Sequence, residues 1–216
     1  MRACYLHQTT PYMKVGIVDY GRGNIRSVEN AFLAIGADTL LVTNPEQLAD
    51  VTHLVLPGQG EFGDCAANLK SQGMFEAICQ WTAQDKPYLG ICVGYQLIFD
   101  ASDESPEAKG LSILPGRVKK FPDVGLKIPH MGWNSITPRN HEDALWKDMP
   151  EAPYFYFVHS YYPEPSNDQH VAASCDYALP FAAAVRRGNL VATQFHPEKS
   201  QHNGLQLLKN FLAITS

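Results

Sequence analysis

Tyr88-Leu89-Gly90-Ile91-Cys92-Val93-Gly94-Tyr95-Gln96 is the stretch on which the reading of this chain turns. Tyr88–Ile91 is a short apolar run of the kind that fills a buried strand, and a helical pattern through Leu97, Ile98 and Asp100 follows it. Cys92 stands at the join, with a glycine two residues away on each side. A strand passing through a tight turn into a helix is the joint of a parallel sheet covered by helices. A turn that sharp needs small neighbours, because larger side chains would collide there. It also presents its central residue at a helix start, where the dipole and free amides favour thiolate over thiol. The bland alternative is a small buried hydrophobe, the commonest fate of a cysteine. Taken alone, the Gly-x-Cys-x-Gly pattern does not separate the two.

Towards the N-terminus the same alternation repeats. Val15–Asp19 is an apolar run closed by turn residues, and Ile25, Val28 and Phe32 then recur at helical spacing. Leu40–Val42 and His53–Leu56 are further short strands, the second ending in Pro57-Gly58-Gln59-Gly60. Leu69, Ala77, Ile78 and Trp81 belong to one long helical stretch before Tyr88. The second half changes character: 110–121, 128–136, 154–162, 171–174, 181–186 and 190–195 read as strands. Arg187-Gly188-Asn189 between the last two is a hairpin turn. Leu205, Leu208 and Leu212 form the stripe of a closing helix, with Leu207, Phe211 and Ile214 beside it. The expectation is one α/β domain with a mixed, largely parallel central sheet flanked by helices and a strand-rich second half. It spans 13–216, after an extension of residues 1–12 that precedes a start-like Met13.

Composition narrows the function. The chain has 216 residues, 45% hydrophobic, enough to bury a sizeable core in one domain. No apolar run approaches the roughly 18 residues of a membrane span. A net charge of -5 gives no basic footprint for nucleic acid. The five cysteines (Cys4, Cys65, Cys79, Cys92 and Cys175) are odd in number, irregularly spaced and without a Cys-x-x-Cys pair. That argues against a disulfide framework or a zinc ribbon and for a reducing, cytoplasmic setting. No metal or cofactor is expected.

A cysteine nucleophile needs a base, and the base needs a group to orient its ring. Thr193-Gln194-Phe195-His196-Pro197-Glu198 supplies both at a predicted strand end. Residues two apart on an extended segment project to one side, so Glu198 can bond one ring nitrogen of His196 while the other faces Cys92. The alternative is an ordinary surface pair. His53 precedes a core strand, His130 and His159 read as structural strand residues, and His141, His170 and His202 as loop residues.

With elbow and His-Pro-Glu together, the chain resembles the class I, triad-type glutamine amidotransferases from about Lys14 onward. Within that class it is most similar to the glutaminase subfamily of imidazole glycerol phosphate synthases, of histidine biosynthesis. Four further segments carry the narrower likeness: 19–24 (Asp-Tyr-Gly-Arg-Gly-Asn), 57–63 (Pro-Gly-Gln-Gly-Glu-Phe-Gly), 129–134 (Pro-His-Met-Gly-Trp-Asn) and 156–161 (Tyr-Phe-Val-His-Ser-Tyr). The resemblance implies a flavodoxin-like fold and a glutaminase with Cys92, His196 and Glu198 as triad. It places oxyanion donors at Val93 and the Gly58-Gln59-Gly60 turn. It places glutamine contacts at Gln96, Glu104 and the backbone of His159, Ser160 and Tyr161, with Glu104 receiving the substrate ammonium. It implies a heterodimer with a (β/α)8-barrel cyclase subunit that takes up the ammonia, with Asn24, Ser27, Trp133 and Tyr156 at the interface or gate.

The chain departs from the family pattern at Gln59, where a hydrophobic residue is usual, at Val93 and Tyr95 of the elbow, and at Asp100, where glutamate is usual. None of these removes a catalytic group. The competing readings are a paralogue feeding ammonia to another acceptor such as a surface-polysaccharide sugar, a non-catalytic scaffold for a barrel partner, and a cysteine hydrolase on a similar elbow.

Overall fold

The computed structural model describes residues 13–215; the expected extension 1–12, with Cys4, lies outside them. Strand and helix alternate through the first half: β1 (Lys14–Val18), α1 (Ile25–Ala34), β2 (Asp38–Val42), β3 (His53–Gly58), α2 (Phe62–Ser71), α3 (Met74–Ala83), β4 (Tyr88–Cys92) and α4 (Val93–Gln96). The second half holds β5 (Ala101–Ser102), β6 (Gly116–Lys120), β7 (His130–Ser135), β8 (Thr137–Pro138), β9 (Tyr154–His159), β10 (Tyr161–Pro165), β11 (Val171–Tyr177), β12 (Leu179–Arg187), β13 (Leu190–Thr193) and the closing α5 (Gln201–Leu212).

The main sheet runs β2-β1-β3-β4-β13-β12-β11-β8. Its first five strands are mutually parallel and its last three join antiparallel, which makes it the expected mixed sheet. β3 and β4 are buried along their whole length, as strands covered on both faces must be. Gly188 and Asn189 close the β12–β13 hairpin as read from sequence. Two small sheets, β10-β6-β5 and β7-β9, sit beside the main one. β7 and β9 pair antiparallel with Trp133 opposite Tyr156 and His130 opposite His159.

Four elements and the placement of one histidine differ from the sequence expectation. The long helix before Tyr88 is two helices, because Gly73 adopts a left-handed φ of 68° between them. The helix after Cys92 stops after one turn. The carbonyls of Leu97, Ile98 and Phe99, which a longer helix would use, instead accept the N–H groups of residues 111–114, returning at 2.7–3.3 Å. For the same reason only 116–120 of the expected 110–121 strand pairs as one. The expected strand 154–162 breaks at Ser160, since β9 pairs with β7 and β10 with β6. His202 lies on α5 rather than in a loop.

Candidate active site

Register in the parallel half brings three chain ends to one edge. Gly58 at the end of β3 is the Cα partner of Cys92 at the end of β4, and Thr193 of β13 pairs with Ile91. The carboxyl edge of a parallel sheet is where α/β folds place their ligands. Cys92 has φ 55° and ψ -109°, a conformation that a side chain rarely adopts and that only dense surroundings maintain. Those surroundings require glycine. A Cβ at position 94 would sit 1.9 Å from the Leu56 carbonyl oxygen, and one at position 58 would sit 2.5 Å from the Gly94 nitrogen. The elbow is therefore strained and locked by backbone contact.

The elbow differs from expectation in its helix. Helix α4 is too short to carry a sizeable macrodipole, so any help for a thiolate comes from nearby amides. The Cys92 residue is only 6% exposed; its sulfur faces a cavity rather than open solvent.

After Thr193 the chain is anchored by Phe195, fully buried and stacked on Phe155 with ring centroids 4.0 Å apart. Burying one such ring contributes about 1.5–3 kcal/mol. The His196 N–H donates to the Tyr156 carbonyl at 2.9 Å, and the Ser200 hydroxyl donates to the His196 carbonyl at 2.6 Å. Residues 197–199 form a single 3-10 turn instead of continuing the extended segment. Glu198 thus reaches His196 because the chain curls. Its Oε1 lies 2.8 Å from Nδ1, with the two side chains 1% and 6% exposed. The other ring nitrogen, Nε2, is buried with no hydrogen-bond partner. Burial opposes charge on this ring, but the Cys92 sulfur and the Glu198 carboxylate outweigh it and raise the His196 pKa to about 10. A buried imidazolium held between a sulfur and a carboxylate is suited to passing a proton to a leaving group.

The cavity beside Cys92 has a volume of about 260 Å3. Gln59, Gly60, Val93, Gln96, Glu104, His159, Ser160, Tyr161 and His196 line it, so sites separated by more than a hundred residues in the chain converge as expected. Gly58 is set behind them in the sheet, and Glu198 behind His196. Glu104 is no freely solvated charge. Its Oε2 accepts the Phe62 N–H at 2.8 Å, and burial raises its pKa against the lowering effect of that bond. The Gln59 carbonyl accepts a weak bond from the Cys65 thiol at 3.7 Å. Cys65 and Cys175 are otherwise buried packing residues, and Cys79 is half-buried.

The expected interface residues gather around Lys199. Tyr156 lies under the Lys199 ammonium, 5.9 Å from ring centre to Nζ, and Trp133 meets Tyr156 edge to face at 6.3 Å. Trp133 is 48% exposed, with Met131 on the same strand at 56%. Ser27 shares a surface hollow with Glu198 and Lys199. Asn24 differs: its side chain accepts the Ser27 N–H at 3.4 Å and caps α1.

Sequence reasoning passed over Pro129, Val158 and Lys199, which also line the cavity. Gln194 is fully buried and its amide donates to the Cys92 sulfur at 3.8 Å. Its position two residues before His196 was the one available signal.

The chain is 48% identical over 200 residues to the imidazole glycerol phosphate synthase subunit HisH of Methanothermobacter thermautotrophicus, covering 93% of this chain and 98% of that one. It is 45% identical to the subunit of the same name from Desulfitobacterium hafniense, covering 91% and 92%. Among solved structures, PurLQS from Thermotoga maritima superposes with a TM-score of 0.74 at 18% identity, covering 93% of this chain and 98% of that one. A glutamine amidotransferase crystal structure superposes with a TM-score of 0.72 at 19% identity, covering 93% and 97%; at such identities both speak for the fold alone. The family model for glutamine amidotransferase class-I matches residues 16–215, and the chain belongs to that family.

Proposed function

We propose that this chain is the glutaminase subunit of an imidazole glycerol phosphate synthase, one catalytic domain over 13–216 that works in the cytoplasm beside a (β/α)8-barrel cyclase. The observation that carries the assignment is the likeness to such subunits at 45–48% identity through more than nine-tenths of both chains. Among the described residues no helix is long and apolar enough to cross a membrane.

The Cys92 thiolate attacks the side-chain amide carbon of glutamine. The oxyanion that forms is met by the Val93 N–H and by the turn 58–60. When the C–N bond breaks, His196 gives its Nε2 proton to the departing nitrogen and ammonia leaves a γ-glutamyl thioester. His196, now neutral, removes a proton from water as it attacks the thioester. Glutamate departs, and the thiolate–imidazolium pair is restored. Glu198 holds the ring through Nδ1 at both stages. Glu104 receives the substrate ammonium, and Gln96 with the backbone of 159–161 holds the rest of the amino acid. Trp133, Tyr156 and Ser27 form the exit side, where the cyclase covers the exposed indole and takes the ammonia.

The test is glutamate release with and without the cyclase and its nucleotide substrate. The expected result is a rise of about tenfold or more on adding both, in line with ordinary intersite coupling energies. Equal rates with and without them would contradict the assignment.

A further inference from the structure

We propose that Gln194 is a positioning residue for the sulfur of Cys92, and that its orientation is set by hydrogen bonds converging on the Tyr161 carbonyl, from Gln96 on one side and from the Trp133-bearing strand β7 on the other. The proposal rests on the glutaminase reading above for its kinetic consequences, but not for its chemistry.

The Tyr161 carbonyl is the fixed point, because it can only accept. Gln96 Nε2 reaches it at 3.2 Å and must be the donor. The same Nε2 lies 3.1 Å from Gln194 Oε1, so its second proton goes there. That fixes the Gln194 amide with its oxygen toward Gln96 and its nitrogen toward Cys92, 3.8 Å from the sulfur. Gln194 cannot flip without placing two oxygens or two nitrogens face to face. It is fully buried, and Gln96 nearly so, which makes an unpaired amide costly. An amide N–H aimed at sulfur favours the charged thiolate over the thiol and holds it in one place.

The same carbonyl orders the other arm. His159 Nδ1 lies 2.8 Å from the Tyr161 oxygen and must carry a proton. Burial drives the His159 pKa down to about 3 and that of His130 to about 4, so both rings are neutral. The Nε2 of His159 is therefore an acceptor, and His130 Nδ1, 3.0 Å away, donates to it. The remaining nitrogen of His130 accepts from Asn134 Nδ2 at 3.3 Å, whose other proton goes to the Asp176 carbonyl at 3.1 Å. The His130 ring is stacked on Tyr177 at 4.0 Å and on Phe157 at 4.8 Å, which fixes its plane. Asn134 follows Trp133 directly on β7. Every proton on the two arms is thereby assigned, and a shift of β7 reaches the sulfur only by moving the Tyr161 carbonyl on which both arms end.

Two variants and one wild-type measurement test this. Gln194→Met keeps the volume and removes the donor. In the chain alone, iodoacetamide should alkylate Cys92 about tenfold more slowly at fixed neutral pH, with Cys92→Ala as the background. In the complex, kcat for glutamine should fall by about the same factor while KM stays within about twofold. His130→Phe keeps the ring stack, removes the bond from β7 to His159, and should lower kcat severalfold with KM unchanged. Nitrogen-15 NMR of the wild-type chain should find both rings neutral with the proton on Nδ1. Wild-type alkylation and kcat in Gln194→Met, a wild-type kcat in His130→Phe, or a proton on Nε2 of His159 would each overturn the proposal. If the glutaminase reading itself failed, turnover would be absent in the wild type too, and the alkylation rates would still report on Gln194.

Discussion

Replacing Cys92 with alanine is expected to lower glutamine hydrolysis by about four to six orders of magnitude, the scale on which loss of a nucleophile acts in triad enzymes. Alanine leaves no atom that can form the thioester, and the imidazolium of His196 loses the sulfur that helps keep it charged. Synthesis from added ammonia through the cyclase should continue at the wild-type rate, because that route bypasses the cavity at Cys92. The two assays on one preparation separate lost chemistry from lost folding. Residual glutamine hydrolysis above about 1% of wild type would exclude Cys92 as nucleophile.

Glu198→Gln should cost about 10^3–10^4 in kcat, as replacing the orienting carboxylate does in related triads. If the new amide nitrogen faces Nδ1, the ring is forced into the wrong tautomer. If its oxygen does, the charge that helps hold the proton on His196 is gone. The pH dependence carries a sign that can be checked. His196 has a pKa of about 10 in the folded chain against 6.5 for an ordinary histidine. Its contribution to stability is therefore fully present below 6.5 and is lost as pH rises through about 10. Thermal unfolding of the wild type should weaken across that window, and Glu198→Gln should flatten the slope. The alkaline limb of glutaminase activity should move towards neutrality in the same variant. A kcat within tenfold of wild type, measured by steady-state glutamate release, would leave Glu198 without the proposed role.

Much of the architecture was legible because its causes are local. Gly90, Cys92 and Gly94 between an apolar run and a helical pattern specify a strained joint, and the structure shows the backbone contacts that demand those glycines. The alternation of short apolar runs with amphipathic stretches implied the parallel half of the sheet. What sequence misjudged depends on distant partners or on a tight local turn. The elbow helix ends after one turn because residues 111–114 return to bond its next carbonyls, which periodicity does not record. His196 and Glu198 meet, but through the turn at Pro197 instead of along a strand. Gln194 had no legible role because its partner Gln96 lies 98 residues away and only the sheet register joins them.

The thioester is the claim on which the rest depends, and intact mass after acid quench observes it directly. The wild-type chain, mixed with the cyclase, its nucleotide and excess glutamine and quenched during turnover, should carry one γ-glutamyl group on the peptide containing Cys92. The group should be released by hydroxylamine and absent from Cys92→Ala. An adduct on Cys65, Cys79 or Cys175 instead, or steady glutamate release by Cys92→Ala, would contradict the account.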